Sequence, residues 1–292
     1  MPSSTSGLGS DRPRPAEVLR RHGIRADKRL GQHFLLDPNI LDRIALAAAP
    51  LAGRTVLEIG PGPGGLTEAL LAAGATRLVA VERDPRFLPA LEELARRHSG
   101  RLEILAADAL TFDPAGLAAD GRAIVVANLP YNVGTELLIG WLTRIELFDR
   151  LVLMFQKEVA LRLVARPSTP DYGRLAVLAQ RLCRVERLFD LPPAAFAPPP
   201  RVSSSVVRLI RREDRPTPAR RQALEAVTRA AFGQRRKMLR SSLAALTPDP
   251  AALLTEAGID PTRRAETLSL DEFERLADAL GRDGGVPMVG NP

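Results

Sequence analysis

RTVLEIGPGPGGLTEALLAAG, residues 54–74, carries the reading that decides the fold class. It runs from an apolar segment that reads as a buried strand, through a turn rich in glycine and proline, into a helix-like segment closed by Gly74. Strand, glycine turn and helix in that order form the opening of a nucleotide-binding α/β unit, because glycine lets the backbone pass close to a ligand. The turn is not a P-loop, having no Gly-Lys-Ser/Thr ending, and Pro63 interrupts the dinucleotide pattern. Alone, such a turn also serves as a structural bend.

The rhythm recurs downstream. RLVAVERD (77–84), RLEILAADAL (101–110) and AIVVANLPY (123–131) are further apolar runs, with helix-like RFLPALEELARRH (86–98) and GTELLIGWLTRI (134–145) following the first and third. RLVLMFQKEVALRLVA (150–165) adds a strand and a second helix-like tail. Short strands alternating with helices predict an α/β domain with a largely parallel, doubly wound sheet. CRVERLFDLP (183–192) and SSSVVRLIRR (203–212) read as strands, joined by PPAAFAPPPRV (192–202), a length that suits an antiparallel pair closing the sheet edge.

Residues 1–25, polar and rich in Pro, Ser and Gly, read as a flexible tail. After it, Asp37 and Pro38 open a helix whose apolar face includes Ile40, Leu41 and Ile44. RREDRPTPAR (211–220) marks a boundary near residue 214. The division expected is a sheet domain over 26–214, a small helical domain over 215–281 and a flexible tail over 282–292. Ser269 and Glu272 make a capping box for the last helix.

The 292 residues are 45% hydrophobic, which excludes global disorder. Cys183 is the only cysteine, which excludes an internal disulfide and any zinc site needing two thiolates. The scattered His22, His33 and His98 argue against a metal centre. No signal peptide and no stretch of transmembrane length are found, so no membrane role and a cytoplasmic location are expected. The formal charge of +7 is concentrated: residues 201–240 hold twelve Arg/Lys against three Asp/Glu, a net +9. That fits a polyanion partner or an ordinary arginine-rich helix surface, and composition leaves both open.

Acidic residues at successive strand ends sharpen the pocket. Glu82 follows Gly60 by 22 residues, where an open sheet places a carboxylate for two ribose hydroxyls. Asp108, after the next strand, could accept from an adenine amino group, or simply form a turn. A nucleoside site without a phosphate-binding lysine favours S-adenosylmethionine over ATP or NAD.

GQHFLLD, EIGPGPGGLT, VERD, AADAL, NLPYN, FAPPPRVSSSV and FGQRRKMLRSSL together resemble the ribosomal RNA adenine N6-dimethyltransferase family in its bacterial small-subunit branch, from about residue 28 to residue 280. The resemblance implies a Rossmann-like methyltransferase domain with a small helical C-terminal domain. It also implies transfer of four methyl groups from S-adenosylmethionine to N6 of two adjacent adenosines in the 3'-terminal hairpin loop of 16S ribosomal RNA. The partner is then an immature small subunit, with a role in ribosome assembly and a monomeric enzyme. His33, Leu35, Gly60, Glu82, Asp108 and Asn128 correspond to cofactor positions, although His33 stands where the family usually has Asn.

In NLPYN, the Asn128 Oδ1 and the backbone carbonyl of Leu129 or Pro130 suit the task of holding an adenine amino group and stabilising positive charge on it. Pro130 stiffens the turn, and Tyr131 stacks on the base. Phe34 and Phe196 are further aromatic candidates beside the base, with core packing as the alternative. Arg235, Arg236, Lys237 and Arg240 form the expected phosphate-contacting group. Two rival functions stand: a large-subunit ribosomal RNA adenine N6-dimethyltransferase conferring antibiotic resistance, and an RNA-binding assembly factor in which catalysis is secondary.

Overall fold

The computed structural model describes residues 12–27, 31–118 and 122–282. The chain divides into two compact units: one holds the chain up to Ala160 together with Glu186–Arg211, the other Leu161–Val185 and the chain from Arg212 on.

In the first unit, helix α1 (Pro15–Arg21) precedes a two-residue strand β1 (Phe34–Leu35) and helix α2 (Pro38–Ala47). The α/β repeat then runs β2 (Thr55–Ile59), α3 (Gly65–Ala72), β3 (Arg77–Glu82), α4 (Leu88–Arg97), β4 (Leu102–Ala106), β5 (Ala123–Asn128), α5 (Gly134–Thr143) and β6 (Phe148–Gln156). Helices α6 (Lys157–Val164) and α7 (Arg174–Leu182) lead to β7 (Cys183–Leu191), the short β8 (Phe196–Ala197) and β9 (Ser204–Arg211).

Seven strands form one sheet in the order β4-β3-β2-β5-β6-β9-β7. The pairs from β4 to β6 are parallel, and β9 runs antiparallel to β6 with Gln156 opposite Ser204. Strands β2, β3 and β5 are buried along almost their whole length, as a parallel sheet covered on both faces requires. Strand β4, at the edge, carries only exposed and half-buried residues. The order reverses between β2 and β5, so their carboxyl ends open a crevice where open α/β sheets bind ligands. A core of Leu41, Ile44, Val56, Leu70, Leu78, Val126 and Val152 packs α2 and α3 on one face of the sheet.

Asp37 caps α2 by accepting from the Asn39 N–H at 2.9 Å, and Leu41 and Ile44 are buried as the spacing predicts. The expected flexible tail needs correction over its second half. Residues 15–21 form α1, with Arg12 paired to Asp42 at 2.8 Å and Arg21 to Glu93 at 2.9 Å. Its anchors are long-range ion pairs, which no local periodicity reveals. Residues 1–11 and 283–292, the outer parts of the two expected tails, lie outside the described residues.

The second unit is helical: α6 enters it, α7 belongs to it, and α8 (Pro218–Gly233), α9 (Leu239–Ser242), α10 (Pro250–Glu256) and α11 (Leu270–Arg282) complete it. Tyr172, Val177 and Leu178 join Leu224, Val227, Phe273, Leu276 and Leu280 in one core, so α7 and the turn before it pack with this unit although they precede β7. The Ser269 N–H donates to Glu272 at 2.8 Å and the Glu272 N–H to Ser269 Oγ at 3.2 Å, which is the capping box. Among the described residues no helix is long and apolar enough to cross a membrane.

Candidate active site

A cavity of about 510 Å³ opens at the carboxyl ends of the strands, within the size range of small-molecule sites. Its wall includes Gln32, His33, Phe34, Leu35, Glu58, Gly60, Glu82, Asp108 and Asn128–Tyr131. The structure therefore brings together every cofactor position expected in the sequence.

The glycine turn sets one side. Gly60 has φ +68°, a conformation that side-chain-bearing residues rarely adopt, and a Cβ there would meet nothing within 4 Å. Glu82, at the end of β3, is 7% exposed. One carboxylate oxygen accepts from the Gly62 N–H at 3.0 Å and the other from the Asp84 N–H at 2.8 Å. Burial raises the Glu82 pKa, and these backbone donors counter the rise. Each oxygen keeps a second lone pair for a ligand hydroxyl.

Asp84 is buried and holds the segment that enters β1 through Gln32. Pairing with Arg86 takes its pKa down to about 2, and Gln32 Nε2 donates to it at 2.9 Å. Gln32 Oε1 in turn accepts from the Asp27 N–H at 2.9 Å. Asp108 forms a turn, its Oδ1 accepting from the Leu110 N–H at 3.0 Å, and the residue lines the cavity. Its Oδ2 pairs with Arg83 at 3.0 Å.

Glu58, two residues before Gly60, lies inside the apolar strand β2. It is fully enclosed at the cavity wall, and neither carboxyl oxygen has a hydrogen-bond partner. Burial raises its pKa to about 8, the Thr67 hydroxyl offsetting part of the rise without a hydrogen bond of normal geometry. An orphaned buried carboxyl, a paired ribose-type carboxylate and open space at Gly60 fit a nucleoside that carries cationic groups.

At the other side of the cavity, β5 ends in Asn128. Its Nδ2 donates to the His33 carbonyl at 3.2 Å, leaving Oδ1 as the acceptor. The Pro130 carbonyl accepts from the N–H groups of Val133 at 3.2 Å and Gly134 at 3.0 Å, opening α5. Both of its lone pairs are thus engaged, so the Pro130 carbonyl is poorly suited to hold an amino group as well. The Tyr131 hydroxyl lies 2.6 Å from Ser204 Oγ, and burial raises its pKa.

Two aromatic expectations change. Phe196 is 5% exposed, is paired with Leu35 through β8 and β1, and packs in the core rather than along the cavity. Phe34 lines the cavity under the glycine turn, 3.7 Å from where a Cβ on Gly62 would lie, with its ring edge-on to Phe87. His33 donates Nδ1–H to the Pro198 carbonyl at 2.7 Å, and its ring stacks on Tyr131. In the helical unit, Arg235, Arg236 and Lys237 are exposed in the turn between α8 and α9, with Arg240 exposed on α9; Arg235 also donates to the Pro170 carbonyl.

Residues 23–281 match the family described as ribosomal RNA adenine dimethylase. A ribosomal RNA small subunit methyltransferase A of Methylobacterium radiotolerans is 57% identical over 290 residues, covering 97% of this chain and 99% of the relative. One from Rhodopseudomonas palustris is 57% identical over 279 residues, 94% of this chain and 96% of the relative. Among solved structures, a dimethyladenosine transferase from Plasmodium falciparum superposes with a TM-score of 0.72 at 25% identity, covering 86% of this chain and 98% of that one. The 23S rRNA methyltransferase ErmE superposes with a TM-score of 0.65 at 28% identity, covering 85% and 99%.

Proposed function

The chain belongs to the ribosomal RNA adenine dimethylase family, and on that premise we propose that it acts on small-subunit RNA, adding two methyl groups to N6 of each of two adjacent adenosines in the 3'-terminal hairpin loop of 16S ribosomal RNA. It is an S-adenosylmethionine-dependent methyltransferase of ribosomal RNA adenine N6. Full-length identity of 57% to relatives named for the small subunit, against 28% to the large-subunit enzyme ErmE, supports the small-subunit choice. The substrate is an immature small subunit in the cytoplasm, and the enzyme works as a monomer with a second role in subunit assembly.

The observation that carries the mechanism is the committed Asn128 amide. With Nδ2 bound to the His33 carbonyl, Oδ1 and the Leu129 carbonyl are the acceptors that orient an adenine amino group and stabilise positive charge on N6. No residue has to remove a proton first. Tyr131 supplies a stacking face, worth about 1–3 kcal/mol per base. Glu82 and Asp108 would hold the ribose and adenine of the cofactor. When bound, S-adenosylmethionine supplies a methyl group on an already cationic sulfur, so no acid is needed for its departure.

Labelled S-adenosylmethionine offered with undermethylated small and large subunits, followed by mapping of modified adenosines, tests this reading. The expected product is dimethyladenosine at two neighbouring small-subunit positions. Dimethylation confined to the large subunit sinks the small-subunit assignment. Binding of small subunits by folded enzyme without methylation favours the assembly-factor reading.

A further inference from the structure

Ser204 begins β9, is wholly buried, and was read in the sequence only as part of a strand. Its backbone is fixed by the sheet: it lies opposite Gln156 of β6, and the Lys157 N–H donates to the neighbouring Ser203 carbonyl at 2.9 Å. Its Oγ meets the Tyr131 hydroxyl at 2.6 Å. The tyrosine is held on a second side as well. The His33 ring lies 5.6 Å from the Tyr131 ring, centroid to centroid, with 28° between the planes. His33 is itself tied by Nδ1–H to the Pro198 carbonyl at 2.7 Å.

A base inserted between two rings needs them roughly 7 Å apart, twice a carbon–carbon contact distance. The 5.6 Å spacing of His33 and Tyr131 leaves no such slot. A base therefore meets the opposite face of Tyr131, and the angle of that face depends on what holds the hydroxyl. We infer that Ser204 is a positioning residue for methyl transfer: it anchors the Tyr131 hydroxyl so that the ring, backed by His33, presents one face at one fixed angle to the target base. His33 acts as the support of the aromatic wall, which its ring can do and an asparagine at that position cannot.

The inference rests on the reading that Tyr131 stacks on the base, and it deepens that reading in one respect. Two successive transfers to the same nitrogen need the base returned to the same place after the first methyl has enlarged it. A ring anchored at its hydroxyl restores that placement, whereas a ring free to swing lets the monomethylated base leave.

The test uses the full chain with undermethylated small subunits and compares Ser204→Ala, Tyr131→Phe, the double variant and Tyr131→Ala. Ser204→Ala and Tyr131→Phe remove the same hydrogen bond from opposite ends. Each should lower kcat/KM for RNA by about 3- to 10-fold, the size of one hydrogen bond. The double variant should lose no more than either single, and the product should shift from dimethyl- toward monomethyladenosine. S-adenosylmethionine affinity, measured by calorimetry, should not change. Multiplying losses in the double variant, or an unaltered product ratio in both singles while Tyr131→Ala is impaired, overturn the role of Ser204 alone. Wild-type rates for Tyr131→Ala overturn the stacking reading and the inference with it. Tyr131→Phe leaves the buried serine in place, so the hydrogen bond is tested even if Ser204→Ala folds poorly.

Discussion

The Asn128 amide nitrogen donates to the His33 carbonyl at 3.2 Å, and this bond decides which end of the amide faces the cavity. A carbonyl can only accept, so Nδ2 is committed and Oδ1 is the end proposed to meet the substrate. An aspartate retains an acceptor but sets a carboxylate oxygen against the His33 carbonyl. Asn128→Asp should lose about 100-fold in methyl transfer at neutral pH, comparable to removing one preorganised polar group. Its rate relative to wild type should recover partly toward about pH 5, where a protonated carboxyl can donate to His33. Asn128→Ala should show no such recovery. Initial rates across pH with saturating cofactor measure this, and an Asp variant as fast as wild type at neutral pH refutes the assignment.

Glu82 is held by two donors, the N–H groups of Gly62 and Asp84. Glutamine has the same shape but must point its amide NH2 at one of them, setting donor against donor. Glu82→Gln should weaken S-adenosylmethionine binding by about tenfold or more, since the neutral amide offers the ligand hydroxyls no carboxylate and a hydrogen bond to a charged group contributes about 1.5–3 kcal/mol. Titration calorimetry reads the affinity directly. An unchanged affinity means that the carboxylate serves only to shape the turn.

Glu58 makes ligand-free stability depend on pH. Its folded pKa, raised by burial to about 8, lies above the ordinary carboxylate value of 4.5. Between those limits the folded protein keeps the proton and the unfolded chain releases it, so stability falls as pH rises through the window. The loss at the alkaline end is on the order of a few kcal/mol. Glu58→Gln should remove that slope and be more stable than wild type near pH 9. Denaturant titrations at about pH 5 and about pH 9 check it; parallel behaviour of the two proteins shows that Glu58 is not the titrating group.

The contrast between Glu58 and Glu82 explains what could be read in the sequence. Glu82 ends a recognisable strand at a fixed interval after Gly60, so its place at the sheet edge follows from alternation and spacing. The parallel sheet was legible for the same reason, as were the caps at Asp37 and Ser269, whose signals are local. Ser204 and Gln32 gave no local signal. Their roles arise from contacts with Tyr131, 73 residues away, and Asp84, 52 residues away. Helix α7 was hidden likewise: Leu178 packs with a unit formed mostly by residues after Arg212. For Phe196 both readings stay open in the sequence, because an aromatic residue beside a proline loop reads the same whether it turns toward a ligand or into the core.

The basic turn of the helical unit gives a test that separates phosphate binding from an ordinary solvated surface. Arg236, Lys237 and Arg240 are exposed, whereas Arg235 already donates to the Pro170 carbonyl. Replacing those three by Gln leaves the Arg235 contact in place. If they neutralise phosphates, the KM for subunit RNA rises, and the slope of log affinity against log salt becomes shallower by roughly 2 to 3 for three lost contacts. S-adenosylmethionine affinity, which the proposed site in the other unit would set, stays the same. RNA binding measured at several salt concentrations decides the point. A shallower slope with unchanged cofactor affinity supports phosphate contact, and an unchanged slope makes the cluster a solvated surface.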